Sequence, residues 1–421
     1  MQDETLRFRW LFHRLPTPIK GRRIVILTGA RQTGKTTLAR LKYPDLNYIN
    51  LDAIEDRQVV AEIRTRAWSR IVGPALIDEA QKEPSVFEKV KWAFDNGEID
   101  FSVLTGSSQI LLLSKVRETL AGRAFLYDLW PLMASEINHS LKENPPFPLV
   151  HHLLEAKRDI GQVLSEESHV LMPDEEERYL SAMEHLSKWG GMPELLFLTP
   201  EERREWLRSY EQTYLERDLA DLARIRDLAP FLKLKRIAML RTGQLLSYSE
   251  LARDAGISVN TAKRFLEYLR ISYQTLLMEP WARNLSSRVI KTPKLYWLDM
   301  GILRYGTKIW EGLDGAMFET LVTAELYKWI KTMSPDTDMF FYRTRSGMEV
   351  DIILETSSGI LGLEIKNRSR TDNSDFRALK VLASRLKQEW KGGIVVYHGK
   401  EIVPFSKEQK LWSVPVHRLF C

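Results

Sequence analysis

The sequence is poor in cysteine, since Cys421 is the only one among 421 residues. A single thiol excludes disulfides within the chain and any metal cluster built on thiolates. No apolar run approaches the roughly 20 residues that a membrane-spanning helix needs, and the first residues contain no secretory core. We therefore expect a soluble, cytoplasmic protein without a membrane partner.

The length and the charge bound the answer further. A chain of 421 residues exceeds one typical domain and should divide into two to four. The net charge is +5 with a pI near 9.0, which suits a nucleic-acid partner without requiring one. Residues 366–391 hold eight basic and three acidic residues, a pattern that fits a phosphate-binding surface or a solvated helix face equally well.

The most specific motif is a glycine-framed loop that follows the apolar run Ile24–Leu27 and precedes a helix-compatible segment. It matches the pattern GxxxxGK[ST], in which the glycines allow a tight turn that aims backbone N–H groups at an anion. Lys35 supplies a point charge for the outer phosphates, and the Thr36 hydroxyl suits Mg²⁺. The motif predicts a nucleoside triphosphate site, with ATP and Mg²⁺ as cofactors, formed by Gly29, Ala30, Arg31, Gln32, Thr33, Gly34, Lys35, Thr36 and Thr37.

Two acids follow a second apolar run, Ala75–Ile77. At the carboxyl end of a strand beside a phosphate loop, Asp78 can hold Mg²⁺ through water and Glu79 can polarise the attacking water. Alone this pattern is weak and also describes an exposed acidic strand end. Together with the loop it predicts Glu79 and Lys35 as catalytic residues.

Three further polar residues are candidates for the same reaction. A strand over Phe101–Thr105 would deliver Ser107 or Ser108 to the sheet edge, where either could sense the γ-phosphate or cap a turn. Arg123 could neutralise charge on the transferring phosphoryl group, within the chain or from a neighbouring subunit, or could be a surface residue.

A helix-turn-helix pattern spans residues 247–270. Ser247 and Glu250 fit a capping box, Gly256 permits a tight turn, and Ser258 begins a second helix. A wing could follow around residues 288–298. The motif predicts DNA contact or a packing unit between domains, and the residues at the exposed start of the second helix are Asn260, Thr261, Lys263 and Arg264.

Two strand-like runs near the end, Glu349–Leu354 and Leu361–Lys366, are joined by a turn signal at Ser357–Gly359. Glu364 and Lys366 share a strand face, and a hairpin would bring Asp351 within reach. Such a set could bind Mg²⁺ through its carboxylates, with Lys366 catalytic. Charged residues that protect an edge strand are the alternative.

The order of these motifs, from Leu27–Thr36 through Ile77–Gln81, Leu104–Gln109 and Leu120–Arg123 to Pro131, Leu132 and Glu136, resembles prokaryotic AAA-type ATPases that carry a carboxyl-terminal DUF4143 region. The resemblance implies an α/β fold: a P-loop AAA-type parallel sheet with a helical lid, then a winged helix-turn-helix and a PD-(D/E)XK-like, restriction-endonuclease-like domain. It also implies a sensor serine at the end of the strand, a finger arginine such as Arg123, and Glu319 or Glu325 as a fourth member of the D…ExK site. The expected boundaries are 1–178 for the ATPase core with an insertion near 138–177, 179–235 for the lid, 236–305 for the winged unit and 306–421 for the last domain.

The leading hypothesis is a Mg²⁺-dependent ATPase that couples nucleotide state to nucleic-acid binding, with DNA as the expected partner. Whether it also cleaves the nucleic acid is left open by the sequence. An ATP-driven switch that binds a protein partner, with the nuclease-like domain as an inactive scaffold, is one alternative. A DNA-binding regulator without cleavage is another. A homo-oligomer is compatible with all three.

Overall fold

The computed structural model describes residues 6–18, 21–106, 116, 118–155, 158–168, 171–215, 228–282 and 292–421. The predicted positions Ser107 and Ser108 and the first part of the predicted wing, residues 288–291, lie outside these residues. None of the described helices combines the length and apolar character that crossing a bilayer requires.

A five-stranded parallel sheet forms the amino-terminal part, as the sequence predicts. Its strands are β1 (Arg23–Gly29), β2 (Asn47–Asn50), β3 (Ala75–Asp78), β4 (Phe101–Thr105) and β5 (Ala124–Leu129), in the order β2-β3-β4-β1-β5. The central strands β1, β3 and β4 are almost wholly buried, because helices cover both faces of a parallel sheet, and this explains their unbroken apolar runs. The surrounding helices are Lys35–Lys42, Ile54–Glu62, Trp68–Ile71 and Ser85–Asp95.

The polar segment near 138–177, whose role the sequence leaves open, lies against the carboxyl-terminal sheet. Its helices are Leu149–Leu154 and Ile160–Glu166. Lys391 Nζ donates to the Glu155 carbonyl at 2.8 Å, and Lys410 pairs with Asp159 at 2.5 Å. The segment therefore joins the ATPase core to the end of the chain.

The middle of the chain is helical and carries a small antiparallel sheet. The helices are Pro173–Trp189, Pro200–Tyr210, Ala229–Leu240, Tyr248–Ala255 and Val259–Ile271, and the strands are β6 (Gln244–Leu245), β7 (Thr275–Met278) and β8 (Lys294–Trp297), in the order β6-β8-β7. Both predicted helices begin at their predicted serines, Ser247 and Ser258, but the full capping box at Ser247 is not seen among the described contacts. Ser258 Oγ accepts from Thr261 N at 3.1 Å, whereas of the predicted capping box the described contacts include only the Ser247 half.

A six-stranded mixed sheet closes the chain. Its strands are β9 (Asp338–Arg343), β10 (Glu349–Thr356), β11 (Gly359–Lys366), β12 (Trp390–Tyr397), β13 (Val403–Ser406) and β14 (Leu411–Pro415), in the order β13-β14-β12-β11-β10-β9. Its neighbouring helices are Met300–Thr307, Gly315–Met333, Arg377–Leu386 and Val416–Phe420. β10 and β11 form the predicted antiparallel hairpin, which pairs Ile352 with Leu363.

The largest apolar cluster connects the amino-terminal segment, the middle helices and the carboxyl-terminal sheet, whereas the two faces of the parallel sheet have clusters of their own. The largest cluster begins at Phe8 and Trp10, continues through the helix Ala134–Ile137 and the middle helices, and ends at Phe420. A buried ion pair lies within it: Arg9 Nε is 3.3 Å from Glu136 Oε2, and Glu136 also accepts from Trp10 N at 2.9 Å. The amino-terminal segment is therefore part of the folded core.

We expect Arg9→Leu to lower the free energy of unfolding by about 3 to 5 kcal/mol, because it leaves the Glu136 carboxylate buried without its counter-charge. Urea unfolding followed by circular dichroism measures this loss. The double variant Arg9→Leu, Glu136→Gln should recover part of it, since a neutral amide leaves no unpaired charge. Equal losses in the single and double variants would contradict this explanation.

Candidate active site

The phosphate loop lies at the carboxyl end of β1, with its predicted residues in one continuous turn. Gly29 has φ +144°, and a Cβ placed there would lie 2.2 Å from the Leu129 carbonyl oxygen, so this position requires glycine. Gly34 has φ +92° and precedes the helix Lys35–Lys42. The Thr33 hydroxyl closes the loop by donating to the Ala30 carbonyl at 2.8 Å.

The Lys35 ammonium lies inside this loop. Its Nζ donates to the Ala30 carbonyl at 2.7 Å and to the Gly29 carbonyl at 3.1 Å, and the side chain is buried. A buried cation beside a helix start is suited to an anionic ligand. The loop and Lys35 thus form the anion site that the sequence predicts.

Asp78 joins the loop to three other elements. Its Oδ2 accepts from Thr36 Oγ1 at 2.6 Å and from Tyr48 OH at 3.2 Å. Its Oδ1 accepts from Glu79 N at 3.1 Å and from Thr105 Oγ1. Thr36 and Asp78 are therefore in contact, and hydroxyl and carboxylate oxygens are the donors that Mg²⁺ prefers, so the predicted pair fits this ion.

Sequence reasoning missed Tyr48 and Thr105, the two further donors to Asp78. Burial, followed by the Asp78 carboxylate, raises the pKa of Tyr48 to about 12, so the phenol remains a donor at neutral pH. Both residues end or line parallel strands beside β3. The sequence offered one signal for them: both are polar residues in predicted strands of the sheet that carries Asp78.

Arg9 lies beneath the loop and was also missed. Its NH1 donates to the Thr33 carbonyl at 3.3 Å. A small, mostly apolar pocket of about 110 Å³ opens beside it, between the loop and the following helix. The residues that line this pocket include Leu6, Gly34, Thr37, Leu41 and Pro193. The apolar lining is suited to a nucleotide base.

Arg123 does not lie at this site, so the predicted finger role within the chain is wrong. It directly precedes β5, and its carbonyl accepts from Ile24 N, at the amino-terminal edge of a sheet whose phosphate loop leaves the opposite edge. Its Nε pairs with Asp95 at 2.5 Å. A role across subunits stays a prediction. Ser107, the predicted sensor, lies outside the described residues.

A hydrogen-bonded triad connects the loop strand to the helix-turn-helix segment. Tyr273 follows the helix Val259–Ile271, and its OH donates to Asp128 Oδ1 at 2.6 Å. Thr28, which precedes Gly29, donates to the same oxygen at 2.7 Å and contacts the Tyr273 hydroxyl. Tyr273 is buried at φ +63°, a left-handed conformation that a non-glycine residue rarely adopts.

The predicted nucleic-acid residues lie at the start of the same helix. Asn260, Lys263 and Arg264 are exposed, and Thr261 is partly exposed with its hydroxyl against Ser258 at 2.9 Å. Lys263 lies over the Tyr248 ring, 5.4 Å from its centre. Neither Lys263 nor Arg264 forms an ion pair with another described residue.

The carboxyl-terminal hairpin brings Asp351, Glu364 and Lys366 together, as predicted. Lys366 Nζ donates to Glu364 Oε2 at 2.7 Å and lies 3.9 Å from Asp351 Oδ2, which also accepts from Ile365 N at 2.8 Å. Burial, followed by the charge of Asp351, raises the pKa of Glu364 to about 8, against the effect of Lys366. Glu364 and Lys366 face a cleft of about 590 Å³.

A second lysine, Lys294 on β8, enters the same acidic cluster and was missed from sequence. Its Nζ lies 2.9 Å from Glu319 Oε1 and also contacts Glu349. Burial opposes the charged ammonium, but Glu319 and then Glu349 outweigh it and raise the pKa of Lys294. The Tyr296 hydroxyl also donates to Glu319.

The expected Mg²⁺ site at Asp351 and Glu364 stays a prediction. Two ammonium groups, those of Lys366 and Lys294, lie among the four acidic side chains of this cluster. Within the described ranges, no group of three or more His, Cys, Asp or Glu side chains is arranged to hold a metal ion. The expectation for Glu325 is wrong, because its carboxylate accepts from Ala134 N at 2.8 Å and pairs with Lys328.

We expect Glu364→Gln to change how stability depends on pH. In the folded protein Glu364 keeps its proton up to about pH 8, whereas an ordinary glutamate loses it near 4.5. Between these values the folded state binds more protons, so this group lowers stability as the pH rises. Urea unfolding across this range should show the variant gaining stability relative to wild type with rising pH. For the exposed control Glu408→Gln, the difference from wild type in the free energy of unfolding should stay constant across this pH range. A constant difference for Glu364→Gln would contradict the assignment.

Comparisons with known proteins agree with the ATPase geometry. Residues 21–138 match the family model described as an AAA domain, residues 181–311 match a domain of unknown function, DUF8612, and residues 314–418 match a domain of unknown function, DUF4143. Uncharacterized proteins of Mycobacterium tuberculosis and Mycobacterium bovis are each 28% identical over 417 residues, covering 96% of this chain and 81% of theirs. Among solved structures, the Walker-type ATPase of Pyrococcus abyssi is similar at 15% identity and a TM-score of 0.41, covering 70% of this chain and 94% of its own. The chain thus carries an AAA domain over residues 21–138 and a carboxyl-terminal DUF4143 domain over residues 314–418.

Proposed function

We propose that this ATPase is a nucleotide-controlled switch that binds duplex DNA through the helix Val259–Ile271. The observation that carries the proposal is the Thr28, Asp128 and Tyr273 triad, which fastens the end of that helix to the residue preceding the phosphate loop. A displacement of the loop on nucleotide binding would therefore shift the position of the helix.

In the ATPase step, the chain's own residues bind and orient the reactants. The loop and Lys35 hold the phosphates, Thr36 and Asp78 would hold Mg²⁺, and Glu79 accepts a hydrogen bond from the attacking water. Mg²⁺, when bound, supplies positive charge that offsets the charge of the phosphates. The apolar pocket beside Gly34 and Thr37 is suited to the base.

The DNA-binding part of the proposal rests on charge and exposure. Lys263 and Arg264 are exposed at the first turns of the helix, and no described carboxylate pairs with them. Free cations at the start of a recognition helix are suited to phosphates and base edges. The overall charge of +5 favours the same class of partner.

Cleavage is not part of this proposal, since no group of three or more His, Cys, Asp or Glu side chains in the described part of the chain is arranged to hold a metal ion. Incubation with Mg²⁺ or Mn²⁺ and single-stranded, duplex and branched DNA should give no products. Cleavage by wild type that disappears in Lys366→Ala would restore the nuclease hypothesis.

We expect Lys35→Ala to lower ATP turnover by about 100- to 1,000-fold, because the variant lacks the charge that faces the outer phosphates. Phosphate release measures turnover, and thermal unfolding verifies that the fold is intact. Lys91→Ala, which removes a lysine from the surface of the same domain, should leave turnover unchanged. Normal turnover in Lys35→Ala would refute the assignment of the ATPase site.

We expect the double variant Lys263→Ala, Arg264→Ala to weaken duplex DNA binding and to reduce the slope of log affinity against log salt by about two, one for each lost phosphate contact. Fluorescence anisotropy at several salt concentrations measures both effects. Arg208→Ala, on the exposed side of the helix Pro200–Tyr210, is the control.

Tyr273→Phe tests the coupling itself. The variant keeps the ring but loses the hydroxyl that reaches Asp128, so it should bind DNA with an affinity that no longer differs between ATP and no nucleotide. Wild type should show such a difference. Turnover without salt-dependent DNA binding would exclude DNA as the partner and favour a protein.

A further inference from the structure

The backbone around Glu79 is held in an unusual turn. Glu79 follows the last residue of β3 with φ +52° and ψ +41°, in the left-handed region, and begins the short 3₁₀ helix Ala80–Lys82. Its carbonyl accepts from Lys82 N at 2.9 Å. A non-glycine residue in this conformation costs about 1 kcal/mol or more, so the surrounding contacts must maintain it. The direction of the Glu79 side chain is thus set by this turn.

The side chain of Glu79 is held by a residue from the same turn. Gln81 Nε2 donates to Glu79 Oε2 at 2.5 Å. The other end of the amide, Gln81 Oε1, is buried and has no hydrogen-bond partner among the described residues. Among the described residues, the Gln81 amide therefore forms a hydrogen bond with one side chain, the Glu79 carboxylate, which the ATPase step uses.

We propose that Gln81 is a positioning residue for ATP hydrolysis, which acts by fixing the orientation of the Glu79 carboxylate. A general base must be held in a narrow range of geometry, because small displacements cost large factors in rate. Gln81 and Glu79 belong to one short turn, so their contact does not depend on how two separate elements move. This persistence distinguishes a positioning contact from a latch that would release Glu79 on nucleotide binding.

The decisive variant is Gln81→Leu, which nearly keeps the volume of the side chain but removes the amide. We expect kcat to fall about 10- to 100-fold, as for a misplaced catalytic group. The dissociation constant of a non-hydrolysable ATP analogue, measured by calorimetry, should stay within about twofold, because Gln81 acts on the reaction step alone. Lys82→Gln is the matched control, since Lys82 shares the turn but its ammonium pairs with Asp52.

A double-mutant cycle with Glu79→Gln separates positioning from a structural role. If Gln81 acts through Glu79, the double variant Glu79→Gln, Gln81→Leu should be no slower than Glu79→Gln alone. Losses that multiply would overturn the proposal, as would a rise in kcat in Gln81→Leu, which would identify a latch.

A shorter amide guards against misfolding of the leucine variant. Gln81→Asn stays polar but cannot reach Glu79 from the same backbone position, so its kcat should be as low as that of Gln81→Leu. An Asn variant that folds and turns over ATP at the wild-type rate would refute the proposal. The proposal rests on the ATPase activity alone, so the DNA experiments leave it unaffected.

Discussion

The carboxylate of Asp78 is the contact on which the catalytic edge of the sheet depends. It accepts hydrogen bonds from the loop helix through Thr36, from β2 through Tyr48 and from β4 through Thr105. Removing such an acceptor would leave several donors unpaired in a buried place. Because these elements share one acceptor, the phosphate loop, the Thr36 hydroxyl and the turn that carries Glu79 are positioned together.

The rest of the chain is built around this edge rather than appended to it. Arg9 of the amino-terminal segment donates to the loop carbonyl of Thr33, and Tyr273 contacts Thr28, the residue before the loop. A single apolar core connects these parts to the carboxyl-terminal strands. Because these parts share one packed interior, a displacement of one of them is passed to its neighbours, since tightly packed interiors do not absorb displacement.

Sequence predicted best what is encoded locally. The glycines at 29 and 34 and the turn at Gly359 specify backbone shape by themselves, so the loop and the hairpin form as expected. Contacts between elements far apart in the sequence were missed, because the packing that brings Thr105 to Asp78 or Lys294 to Glu319 has no local signature. The finger role predicted for Arg123 was wrong for the same reason. Only the direction of β5 shows that Arg123 lies at the sheet edge opposite the phosphate loop.

The origin of Lys294 has a practical consequence for anyone who dissects the molecule. The DUF4143 match begins at residue 314, yet the ammonium that balances Glu319 and Glu349 comes from β8, upstream of that boundary. An excised fragment would contain Glu319 without this ammonium, and Glu349 would keep its ion pair with Arg343 but lose the one with Lys294. Measurements of metal affinity, titration or solubility on this fragment would therefore not apply to the intact protein.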